Sequence, residues 1–193
     1  MAYPLTAIRE LIANALLYQD FDGGGRVNVQ IYENSVVVSN PGAPNVAVDR
    51  FIDEQDSRNP DLVGMAGRLK LCEELGSGID NVVESIEKNL LPPLMIGAGS
   101  RQTSATLLGP RQLDDMSMTE RSIACYQHCA LAYERGKIAI SNSSVRERFG
   151  LSNSSADAAS RIIQQCMTDG RIKLQDPNST SKRYARYVPY WAS

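Results

Sequence analysis

Between residues 5 and 18, apolar side chains recur at Leu5, Ile8, Leu11, Ile12, Ala15 and Leu16, spaced as one stripe of an amphipathic helix. Gly23-Gly24-Gly25 breaks that period, and residues 26–32 then alternate Val27, Val29 and Ile31 with polar partners, which predicts a strand. Glu33-Asn34-Ser35 has the chemistry of a turn. Val36-Val37-Val38 predicts a second strand ending at Asn40-Pro41-Gly42, and the two strands together predict a hairpin. A polar loop follows as far as Arg58-Asn59-Pro60, with Pro60 suited to the first position of a helix reaching about Leu75. Gly76-Ser77-Gly78 interrupts. Residues 79–89 predict another amphipathic helix through Val82, Val83 and Ile86, ended by Pro92-Pro93. Residues 100–108 predict one further strand, and 109–118 carry no period and predict a linker.

Beyond residue 118 the order of elements changes. Thr119 is expected to cap a helix that runs to about Arg135 and stops at Gly136. Residues 137–140 predict a short strand, 143–149 a short helix closed by Gly150, and Leu151-Ser152-Asn153 a turn. A longer helix over 155–169 ends at Gly170, and residues 171–174 and 184–188 form two strands around a polar tip. This order is that of a winged helix-turn-helix, whose second helix enters the major groove of DNA. The groove-facing positions are then Asn153, Ser154, Ser155, Asp157, Ser160 and Arg161, while Lys182, Arg183 and Arg186 on the ribbon are placed for phosphate. Such domains also serve as dimerisation or protein-docking units, and Asp157 does not favour DNA.

Charge supports a division into two units. The whole chain of 193 residues has a formal charge of −2, with 20 basic and 22 acidic side chains. Residues 1–118 hold 9 basic and 16 acidic residues, whereas residues 119–193 hold 11 and 6, so the basic half is the candidate partner for a polyanion. The apolar fraction of 42% suffices for a packed core. No apolar run approaches the roughly 20 residues of a membrane span, and Met1-Ala2-Tyr3-Pro4 does not open a secretory leader, so a cytoplasmic protein is expected. The four cysteines (Cys72, Cys125, Cys129, Cys166) form no C-x-x-C pair, and His128 stands alone. Buried reduced thiols are expected rather than a zinc site or a disulfide framework.

Candidate chemistry lies in the first helix, where Glu10 and Asn14 stand four residues apart on a face separate from the apolar stripe. A carboxylate able to activate water beside an amide able to hold Mg²⁺ suits nucleotide hydrolysis. The order Glu10-x-x-x-Asn14-Ala15, Asn40-Pro41-Gly42, Arg58-Asn59-Pro60, Gly76-Ser77-Gly78-Ile79 resembles the C-terminal ATPase-like domain of RecG-like, Schlafen-AlbA-associated transcriptional regulators, over about residues 3–109. The resemblance implies a GHKL (Bergerat-type) α+β fold, with helices on one face of a mixed sheet, and a winged helix after it. It further implies Glu10 as general base, Asn14 as Mg²⁺-holding residue, Asn40 and Gly42 in the loop that meets adenine, and Gly76, Ser77 and Gly78 in the phosphate turn, where backbone N–H groups at a helix start favour anions. Asn59 is expected to cap the helix that begins at Pro60.

The chain departs from this family at two places. Tyr18-Gln19-Asp20-Phe21 replaces the usual His-Arg-Asp-Tyr, and Asn40-Pro41-Gly42 stands where active GHKL enzymes carry Asp-x-Gly-x-Gly. Loss of that adenine-reading carboxylate removes a hydrogen bond of about 1–3 kcal/mol. No G-x-x-x-x-G-K-[ST] loop is present, so helicase motor chemistry is not indicated, and the family's upstream AlbA-like domain has no counterpart in these residues. The expectation is a transcriptional regulator, dimeric, with DNA bound by residues 119–193 and ATP with Mg²⁺ as candidate ligands of residues 1–109. An active Mg-dependent ATPase and a purely structural interaction module are the alternatives.

Overall fold

The computed structural model describes residues 3–69, 78–178 and 184–193, and the chain divides into two compact units, Met1–Pro110 and Arg111–Ser193. In the first, helix α1 (Leu5–Leu17) is followed by strands β1 (Asn28–Ile31) and β2 (Ser35–Pro41), a 3-10 turn at Val48–Arg50, helices α2 (Pro60–Arg68) and α3 (Gly78–Lys88), and strands β3 (Met95–Ala98) and β4 (Gln102–Leu108). The sheet order is β1-β2-β4-β3. A mixed sheet was expected, but every pairing among the described residues is antiparallel. Both hairpins have short connections, which join only antiparallel neighbours. The single strand expected over 100–108 is a hairpin of β3 and β4; β3 reads Met-Ile-Gly-Ala and offers too little alternation to be seen in advance.

The core of this unit joins Leu11 and Ala15 of α1 to Val82 and Ile86 of α3, over Val36, Val38 and Leu107 of the sheet. The buried face of α1 differs from the expected stripe. Leu5 is 78% exposed, whereas Ala7, Glu10, Leu11 and Ala15 are buried, so the helix is turned to put its small residues inward and bring α3 close. Strand β1 sits at the sheet edge with all four residues exposed, so the expected alternation of Val29 and Ile31 does not produce burial there. Asn59 occupies the cap position of α2 and Pro60 its first turn, but the Asn59 side chain does not cap α2. It donates instead to the carbonyls of Leu17 (2.9 Å) and Gln19 (2.8 Å), closing the C-terminal end of α1.

The second unit contains α4 (Met118–Gly136), α5 (Asn142–Arg148), a 3-10 turn at Asn153–Ser155, α6 (Ala156–Thr168), β5 (Ile172–Leu174) and β6 (Tyr187–Pro189). The expected strand over 137–140 is reduced to one bridge, Ile140 to Tyr187. α4 is capped by Ser117 and not by Thr119. The Ser117 hydroxyl accepts from the Glu120 N–H (3.2 Å) while Glu120 accepts from the Ser117 N–H (2.7 Å), a reciprocal pair that Thr119 is too late in the chain to make. Burial opposes ionisation of Glu120, yet these bonds from Ser117 and the Arg111 guanidinium hold its carboxyl below the usual range. Cys125, Cys129 and Cys166 are buried free thiols; the Cys166 contact and burial push the Cys125 thiol up, and burial raises Cys129, so both stay protonated.

Gly136 does not stop α4; it lies within the last turn, and Lys137 takes the left-handed position at φ 52°. A side chain there is strained. Lys137→Gly is expected to stabilise the protein by about 0.5–1 kcal/mol in urea unfolding, because glycine relieves the strain at a helix end. The exposed contacts it removes, to Glu134 (3.6 Å) and over the Tyr133 ring (4.6 Å), are weak by comparison. A loss of stability would mean that these contacts outweigh the backbone term.

Candidate functional site

In the first unit, residues far apart in sequence meet around one cavity of about 140 Å³. Glu10 and Asn14 reach it from α1, Asn40 from β2, Thr103 from β4, and Gly78 from the start of α3. Gly78 lies close against α1. A Cβ at that position would lie 3.1 Å from both terminal atoms of Asn14 and 3.3 Å from Glu10 Oε2, so these two side-chain ends would have to give by a few tenths of an ångström. Glu10 is 1% exposed and belongs to the buried face of its helix, contrary to the expectation that it lies off the packing stripe. The helix bearing it is turned as described above, and that turn aims Glu10 and Asn14 together at α3.

Asn40 keeps its amide nitrogen on the Pro41 carbonyl (3.0 Å). Gly42 does not line this cavity. It borders a second, more polar cavity of about 340 Å³, together with Asp20, Gly24, Arg58 and Arg101. Gly42 has φ 100°, its N–H donates to the Arg101 carbonyl (2.9 Å), and its carbonyl accepts from the Thr103 hydroxyl (2.8 Å). The Arg58 guanidinium lies across it, donating to the Ala43 carbonyl and to Asn45 Oδ1 (3.2 Å) and standing 3.7 Å from Asp20. Asp20 Oδ1 also accepts the N–H groups of Asp22 and Gly23, both at 3.0 Å, so it shapes the glycine loop. Tyr18, Phe51 and the exposed Glu54, Gln55 and Asp56 complete the mouth of the first cavity. Sequence reasoning missed them, because a polar loop has no period that shows where it folds back. Gly76 and Ser77 lie outside the described residues.

The residues present fit a nucleotide base and a divalent cation at the level of donor chemistry. The cavity wall is largely apolar, with amide and hydroxyl groups at Asn14, Asn40 and Thr103 to meet a heterocycle's edge. Glu10 and Asn14 supply one carboxylate and one carbonyl oxygen, a donor pair of the kind Mg²⁺ takes when water and phosphate complete its shell. Among the described residues no group of three or more His, Cys, Asp or Glu is arranged to hold a metal by itself.

In the second unit Asn153, Ser154, Arg161 and Arg186 are exposed, and Ser155 is half-buried. Asn153 accepts from Arg146, and Asn142 ties α5 to α6 through the Ala156 carbonyl (2.9 Å) and the Ser160 hydroxyl (3.0 Å). The start of α6 is therefore held in place. Asp157 lies exposed in its first turn. Lys182 and Arg183 lie outside the described residues.

Residues 24–107 match the family described as "Putative ATP-dependent DNA helicase recG C-terminal", which supports a GHKL-like domain in this half of the chain. The match begins after α1, so Glu10 and Asn14 precede it. The crystal structure of the DIP2311 protein from Corynebacterium diphtheriae is similar at a TM-score of 0.54 and 14% identity, over 97% of this chain and 50% of that one. The chain thus spans about half the length of that protein, and the likeness is one of fold. No curated protein matches the sequence. No described helix is long and apolar enough to cross a membrane.

Proposed function

We propose that this protein is a ligand-responsive transcriptional regulator. Its first unit is a nucleotide-binding sensor of GHKL type, and its second is a winged helix-turn-helix that binds duplex DNA. The observation that carries the reading is the meeting of Glu10, Asn14, Asn40 and Gly78, drawn from three separate elements, around a single cavity. In this reading Asn14 holds Mg²⁺ when a nucleotide is bound, Asn40 meets the base, and the phosphate turn is Gly76-Ser77-Gly78. The output unit is read from its order of helix, bridge, helix, turn, helix and ribbon, together with the excess of basic residues in that half. Asn153, Ser154, Ser155 and Arg161 face the groove, and Lys182, Arg183 and Arg186 contact phosphate. A homodimer matches the two-fold symmetry of such binding sites. Cytoplasmic localisation follows from this role.

The test is fluorescence anisotropy of labelled duplex DNA at two salt concentrations, with and without a panel of adenine ligands. Affinity is expected to fall as salt rises, and Arg186→Ala to lower the salt slope by about one. One member of the panel is expected to shift the affinity. A flat salt response removes the DNA reading, and indifference to every ligand removes the sensor. A second reading, hydrolysis with Glu10 as general base, is favoured by the closeness of Glu10 to both Asn14 and Gly78. It requires Glu10→Gln to abolish turnover of ATP without loss of the fold.

A further inference from the structure

We infer that the open edge of β1 pairs with β1 of a second copy of this chain, the two strands running antiparallel about a two-fold axis. This gives the homodimer proposed above its interface, and it rests on the first unit alone, whether or not DNA or a nucleotide binds. β1 is an outer strand of the sheet, bonded on one side to β2. The Tyr32 N–H donates to the Ser35 carbonyl at 2.8 Å, so the alternation of an antiparallel ladder turns the main-chain groups of Asn28 and Gln30 towards β2. Those of Val29 and Ile31 point out of the sheet edge. The register also fixes the side-chain faces. Val29 lies opposite Val38 and Ile31 opposite Val36, so both stand on the face that carries the core. Val36 and Val38 are buried there, yet Val29 is 41% and Ile31 79% exposed, so the apolar face of the sheet runs on past its cover.

Edges left open to solvent are commonly blunted by a lysine, a proline or a bulge. Residues 27–32 read Val-Asn-Val-Gln-Ile-Tyr, with no charge and no proline, and the pairing of β1 with β2 runs without a bulge. The pattern also fits itself. With Val29 opposite its own copy, Val27 meets Ile31 on the core face, while Asn28 meets Gln30 and Arg26 meets Tyr32 on the other. Apolar residues then face apolar ones, amide faces amide, and a guanidinium lies beside an aromatic ring. The outward main-chain groups of Val29 bond their own copies across the axis. A slip of one residue sets Val29 against Asn28 or Gln30 and turns the core face of one copy to the far face of the other. A slip of two brings Glu33 against Val27 or leaves Ile31 opposite Gly25. Because each copy offers the same patch, the contact closes on itself and stops at a dimer.

Sedimentation velocity of the full chain across the micromolar range, without DNA or nucleotide, tests this. The wild type is expected to be dimeric at the upper end. Asn28→Lys/Gln30→Lys and Asn28→Glu/Gln30→Glu, each changed at two exposed positions, set like charges opposite one another across the axis. Each double variant is expected to keep the wild-type far-UV circular dichroism and to weaken the dimer about tenfold. Mixing the two in equal amounts is expected to restore association, because unlike charges then face each other. A wild type that stays monomeric throughout would overturn the inference. A dimer indifferent to both double variants would overturn it too, and would leave the homodimer standing with another interface. Weakened dimers that mixing does not restore would overturn the pairing of the two edges.

Discussion

Replacing Gly42 by alanine is expected to cost the protein about 2–4 kcal/mol, measured by urea unfolding followed through far-UV circular dichroism. Two effects combine. The backbone at φ 100° lies where a residue with a Cβ is strained by about 1–3 kcal/mol. The added carbon would also lie 2.8 Å from Arg58 Nη1 and 2.8 Å from Asp20 Cβ. The guanidinium is the far end of a flexible chain and can swing away, but only by giving up its bonds to Ala43 and Asn45. Asp20 Cβ cannot swing, because the Asp20 N–H is held on the Pro41 carbonyl at 2.9 Å. The loop must then shift as a whole. The control is Arg58→Ala/Gly42→Ala; if guanidinium displacement dominates, the second substitution costs much less in the absence of Arg58. A Gly42→Ala protein within about 0.5 kcal/mol of wild type would mean that this strand end is looser than its geometry shows.

The same residue illustrates how far the sequence could be read. Asn40-Pro41-Gly42 was legible as a strand end followed by a turn, since proline and glycine punctuate chains in that way. Which of its residues faces the cavity was not legible. Asn40 lines it, whereas Gly42 borders the neighbouring polar space and positions Arg58. The helix of residues 5–18 was legible from its period, but its inward face was not. Large leucines dominate a hydrophobic pattern, and here Leu5 is exposed while Ala7, Glu10 and Ala15 are buried. Small residues bury because a neighbouring helix comes close, and that neighbour begins far along the chain, at a glycine set tightly beside the Asn14 side chain. The meeting of Glu10 and Gly78 is a long-range fact of this kind. A local period does not report it.

Asn59 makes a long-range contact of the same kind, from the start of α2 to the end of α1. Its two bonds hold the carbonyl of Leu17, which the end of α1 leaves without a helical partner, and that of Gln19 in the segment just beyond. Asn59→Leu removes both donors, and a loss of about 2–3 kcal/mol is expected, from about 1 kcal/mol for each bond plus part of the desolvation cost of stranded carbonyls. Asn59→Asp is the sharper test, since it keeps the shape and reverses the chemistry. An ionised carboxylate accepts and cannot donate, so it is repelled by two carbonyl oxygens at hydrogen-bond distance, a larger effect than the favourable field it meets at the start of α2. The folded protein therefore raises the pKa of the new carboxyl above its unfolded value. A raised group favours folding at low pH and loses that contribution as pH climbs through the folded pKa. The Asn59→Asp variant is thus expected to be less stable than the Asn59→Leu variant at neutral pH and to recover relative to it as the medium is acidified, when the carboxyl can donate one bond. Unfolding midpoints for both variants across the acid range read this directly. Parallel pH profiles for the two would show that Asn59 does not close the end of α1 through hydrogen bonding.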